Sequence, residues 1–66
     1  MEMYEIKKDL LKILSKNEDG LTIFNIMEKL PYHRMTIKIN LLELAIDNKV
    51  RIIKYTKNNV VYKIIK

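Results

Sequence analysis

The sequence predicts an α+β domain of three helices followed by a β-hairpin, and three observations carry that expectation. Apolar residues recur at helical spacing up to about residue 47, after which the period falls to two and β-branched residues crowd in. Chain-breaking residues, Gly20, Pro31 and Asn48, fall between the periodic segments rather than within them. No linker, repeat or low-complexity stretch interrupts the 66 residues, so residues 1–66 read as one domain.

The first helix is expected over 2–16, EMYEIKKDLLKILSK, where Met3, Ile6, Leu10, Ile13 and Leu14 share one face and charged side chains the other. It ends at NEDG, because Gly20 accepts a positive φ. A short extended segment at Leu21 leads to Thr22, a good N-cap for a second helix over 22–30. Ile23, Ile26, Met27 and Leu30 form its expected buried side, and Pro31 stops it by disfavouring a helical residue before it. A third helix is expected over 34–47, with His33 at its N-cap. Strands follow over 50–55 and 60–65, joined by TKNN, in which Asn58 and Asn59 tolerate the positive φ of a tight turn.

Composition narrows the function classes. There is no Cys, so no disulfide or thiolate metal site is available, and the fold rests on packing with 48% hydrophobic residues. A chain of this size buries only about 60% of its unfolded surface, so stability is expected to be modest unless it dimerises. No apolar run approaches the ~20 residues of a membrane span and the start is charged, so a cytoplasmic protein without membrane contact is expected, nucleoid-associated or in a host cell's cytoplasm. One His, one Ser and no glycine-rich loop leave no nucleophile–base pair, phosphate cradle or ligand set; neither catalysis, cofactor nor metal is expected.

Charge is unevenly placed. Residues 1–30 hold five Lys against six acids, a net of −1, whereas residues 31–66 hold eight Lys and Arg against two acids, a net of +6. That asymmetry points to a surface that meets a polyanion, with a Lys-rich solvated face as the plainer alternative.

From Leu21 onward, the stretch LTIFNIMEKLPYHRMTIKINLLELAIDNKV resembles the winged-helix variant of helix-turn-helix found in transcriptional regulators. The resemblance rests, without gaps, on Leu21-Thr22, Ile26-Met27, Leu30, Thr36-Ile37, Leu41, Leu44, Asn48 and Val50, and on Tyr62 as an aromatic in the last strand. Asn48 stands where such domains usually have Gly, Met27 where they have a small residue, and Pro31-Tyr32 where they have Gly and an aliphatic. Tyr32 is expected to plug the core, and His33 to have a structural or solvent role.

The resemblance implies a three-helix core with the hairpin as a wing, binding double-stranded DNA with sequence dependence. The third helix would enter the major groove with Arg34, Met35, Thr36, Lys38, Ile39, Asn40 and Glu43. Arg34 is the candidate for guanine, Asn40 for adenine, and Thr36 and Ile39 for thymine methyls. On the wing, Lys54, Lys57, Lys63 and Arg51 would neutralise phosphates, with Asn58 or Asn59 reaching toward the minor groove. The plainer alternative for the same lysines is protection of a strand edge from aggregation. Paired half-sites would make a homodimer.

One feature resists this reading. Ile37, Leu41 and Leu44 form the core stripe of the third helix, yet Met35, Ile39, Leu42 and Ile46 form a second stripe half a turn away. Three explanations stay open: the hairpin folds back over Leu42 and Ile46; a protein partner or second copy covers the stripe; or Met35 and Ile39 meet DNA. The second makes the chain a protein-interaction module or accessory factor.

Overall fold

The computed structural model describes residues 3–65, with side chains from residue 5 onward. The expected helix start at residue 2 and the place of the Met3 side chain lie outside that description. The elements run α1 (Met3–Ser15), α2 (Ile23–Lys29), α3 (Arg34–Ile46), β1 (Val50–Thr56) and β2 (Asn59–Ile64), an α+β order in which a two-stranded antiparallel hairpin follows three helices.

Each boundary has a local cause. Gly20 lies at φ +96°, and its amide donates to the Asn17 carbonyl at 2.8 Å, closing the turn after α1. Thr22 caps α2 in a reciprocal box: its hydroxyl accepts from the Asn25 amide, while its own amide donates to Asn25 Oδ1, both at 3.2 Å. His33 caps α3 as expected, its Nδ1 accepting from the Met35 amide at 3.2 Å. At the other end Asn48 adopts φ +60°, its amide donating to the Ala45 carbonyl while the Lys49 amide donates to that of Leu44. Those two bonds make a Schellman motif, with Asn in the left-handed position glycine usually holds.

The core gathers one stripe from each helix onto the hairpin. Ile6, Leu10 and Leu14 of α1 meet Ile26 of α2, and Ile37, Leu41 and Leu44 of α3 close over them with Val50 and Tyr62. Burying each such side chain stabilises the fold by roughly 1.5–3 kcal/mol before entropy is counted. Tyr32 packs on this cluster from the turn before α3, and its hydroxyl donates to Asp9 at 2.6 Å. Lys7 and Glu43, 2.6 Å apart, join α1 to α3 a second time.

The hairpin is anchored at its base. Leu21 and Tyr62 exchange two backbone hydrogen bonds, at 3.0 and 2.8 Å, so Leu21 acts as a one-residue third strand beside β2. The register pairs Val50 with Ile64, Ile52 with Tyr62 and Lys54 with Val60, then slips by one at Tyr55 so that Thr56 meets Asn59. The expected tip is corrected here: it is the two residues Lys57-Asn58, and neither Asn58 nor Asn59 enters the left-handed region. A two-residue turn without positive φ splays its strands, and the bulge at Tyr55 supplies the compensating twist.

Among the described residues no helix is long and apolar enough to cross a membrane.

Candidate nucleic-acid interface

Cationic and amide side chains from α3 and the hairpin tip converge on one cleft. Arg34 and Lys38 lie one turn apart on α3, on the flank that faces the hairpin, and Lys57 and Asn58 come from the tip. Between them is a cleft of about 230 Å³ whose apolar lining comes from Ile23 and Met27 of α2 and Val60 and Tyr62 of β2. None of the described residues that line it is acidic. Its electrostatics reach into the protein: burial pushes the Tyr62 phenol's pKa up, and the nearby Arg34 charge draws it partly back.

The fate of the other expected DNA-contacting residues follows from helix and strand geometry. Asn40 requires a correction: it is fully buried, and its Nδ2 donates to the Thr36 carbonyl at 2.8 Å. It lies three residues after Ile37 and four before Leu44, so it sits on the core stripe and does not face a ligand. Glu43 turns toward α1 and pairs with Lys7. Thr36 shares that flank and is half-buried.

On the hairpin, alternation divides the cations. Lys54 shares the face of Val60, its cross-strand partner, and so lies on the cleft side. Arg51 and Lys63 pair with each other on the opposite face, beside Glu18 and Ile64, and do not line the cleft. Asn59 is exposed where β2 begins.

The second stripe of α3 is open. Met35, Ile39, Leu42 and Ile46 are 58, 43, 43 and 78% exposed, so of the three explanations the one in which the hairpin folds back over Leu42 and Ile46 is overturned. The physical reason is register: the inward face of the hairpin is spent on Val50 and Tyr62, both of which pack into the helical core.

Two cleft residues escaped the sequence reading. Met27, expected on the buried side of α2, is exposed and lines the cleft. Phe24, also in the lining, is 78% exposed. The available signal was its position: Phe24 is the one aromatic of α2 and lies off the stripe defined by Ile23, Ile26 and Leu30.

Among the described residues no three His, Asp or Glu side chains gather as a metal site would require. Comparison with known protein families, with curated proteins and with solved structures finds no match.

Proposed function

We propose that this chain is a winged-helix domain that binds double-stranded DNA and serves as a small transcriptional regulator, by binding rather than catalysis. One observation carries the reading: Arg34 and Lys38 of α3 and Lys57 of the hairpin tip face one cleft whose described lining holds no carboxylate. Cations on two separate elements, set around a groove, suit a curved polyanion better than a solvated face does. In this arrangement α3 lies in the major groove and the hairpin is the wing, with Lys57 and Lys54 on phosphates and Asn58 toward the minor groove. With Asn40 and Glu43 withdrawn, hydrogen-bonded base reading falls to Arg34 and Lys38, and Met35 and Ile39 are left to touch thymine methyls.

Fluorescence anisotropy of a blunt duplex titrated across salt concentrations tests this. The affinity should fall steeply with salt, and Lys38→Ala and Lys57→Ala should each reduce the logarithmic slope by about one. Arg51→Ala, on the far face of the hairpin, should leave the slope as it is. Absence of duplex binding at low salt sinks the reading.

A second reading has its own observation. The open stripe Met35, Ile39, Leu42, Ile46 is spaced by four, three and four residues, the seam spacing of paired helices. In that reading the domain docks a protein or a second copy there, and α3 is unavailable to DNA. Sedimentation of the wild type against Ile39→Glu tests the second copy: a wild-type monomer at high concentration removes the homodimer.

A further inference from the structure

The cleft between α2, α3 and the hairpin tip has a property that duplex binding does not use. A duplex presents phosphates and groove edges, for which the three cations suffice, yet here an aromatic ring stands exposed beside them. Phe24 is 78% exposed in the first turn of α2, and Ile23, Met27 and Val60 continue an apolar lining from it. An aromatic side chain left this open in a small domain forgoes the stabilisation that burial would supply.

Resting on the nucleic-acid reading above, we infer that this cleft receives one unpaired base, stacked on Phe24, while the phosphates on either side of it lie on Arg34, Lys38 and Lys57. The occupant's size follows from the volume. At about 230 Å³ the cleft is smaller than the roughly 300–1,000 Å³ of sites for drug-sized ligands, so it takes a single ring rather than a run of bases.

The chemistry of the lining matches in each part. A base has a flat π-face of any sequence for Phe24 to stack on. The Asn58 amide carries both a donor and an acceptor, which a base edge requires and a phosphate does not. The cations come from α3 on one side and the tip on the other, so two phosphates of one strand are held with the base between them. An acidic peptide with an aromatic anchor would also find cations and an apolar wall. It would have no use for cations on two sides of one ring or for a paired donor and acceptor.

The partner is therefore duplex nucleic acid with a nucleotide out of the stack, at a bulge, a flap or a frayed end. The full chain is titrated by anisotropy with a blunt duplex, with the same duplex carrying one bulged nucleotide, and with an acidic peptide containing one tyrosine. A bulged 2-aminopurine reports stacking directly by its fluorescence. The bulged duplex should bind about tenfold more tightly than the blunt one, with a change in 2-aminopurine emission. Phe24→Ala should remove the preference and Phe24→Tyr should retain it; since the side chain is exposed, neither change opens a cavity.

Equal affinity for the two duplexes overturns the inference and leaves the duplex reading standing, as does a preference that survives Phe24→Ala. Binding of the bulged probe alone supports the inference and removes general duplex binding. Silence on both nucleic-acid probes overturns both. A Phe24-dependent complex with the peptide, tighter than with the bulged duplex, overturns the inference in favour of a protein partner.

Discussion

Asn40 is the polar residue at the centre of the molecule. Its Nδ2 is used by the Thr36 carbonyl, but its Oδ1 is buried with no hydrogen-bond partner among the described residues. A buried polar atom left unpaired costs about 1–3 kcal/mol, and leucine has a similar volume without that cost. Asn40→Leu should therefore raise the urea midpoint by the equivalent of about 1 kcal/mol, while duplex affinity stays where it was because the residue is inside. A lower midpoint would mean that the amide is better satisfied than its contacts indicate. The position of Asn40 was legible in the spacing, since it is i+3 from Ile37 and i−4 from Leu44. What misled was residue type: the resemblance assigns a polar side chain on this helix to base reading, and an amide looks the same on the core stripe as off it. Met27 shows the reverse case, an apolar side chain that spacing and type together would bury and that the structure leaves at a cleft, whereas Phe24 is apolar in type but off the stripe.

Elements were legible where their ends are set by local chemistry. Gly20, Thr22, Pro31, His33 and Asn48 each act within a turn of chain, and the three helices fall within two residues of the spans their spacing predicts. The hairpin tip was less legible, because two consecutive Asn residues both fit a turn and only the pairing register decides between them. Gly20 carries more than its turn. With φ at +96°, a Cβ there would also collide with the Val61 side chain and lie 2.7 Å from Lys63 Cγ and 3.1 Å from the Tyr62 carbonyl oxygen. Gly20→Ala thus strains the backbone and pushes on β2 at once, and a loss of about 1–3 kcal/mol in denaturant unfolding is expected. A loss of a few tenths would show that the segment before α2 shifts freely.

For the whole molecule, Tyr32 and Asp9 join the turn before α3 to α1 across the chain. The hydrogen bond to Asp9 holds the Tyr32 phenol's pKa above its ordinary value of 10.0, with desolvation and the Asp9 and Glu5 charges acting the same way. The sign follows from proton count: above the ordinary value the folded chain keeps a proton that the unfolded chain releases. The stabilisation is complete below pH 10.0 and is lost as pH rises through the raised folded value. Wild type should lose more stability than Tyr32→Phe over that alkaline window, in parallel thermal melts; identical slopes would dismiss the coupling. The charge division between the two halves was plain in the sequence, but its spatial sorting was not, because whether Arg51 or Lys54 faces the cleft depends on strand alternation and on which face the core claims. The second stripe on α3 could be seen as a pattern, but that it stays open depends on which hairpin residues the core claims.

The two hydrogen bonds between Leu21 and Tyr62 give the hairpin the mechanics of a cantilever. It is clamped at Tyr62 and again where the Ile65 amide donates to the Lys49 carbonyl at 3.0 Å. From Tyr62 to Asn58 four residues project, a reach of roughly 13 Å at strand rise, and among the described residues the backbone of that arm bonds only across the hairpin. A small rotation at the clamp becomes a sideways displacement at Lys57, so the tip can shift its position without disturbing the core that holds the other end.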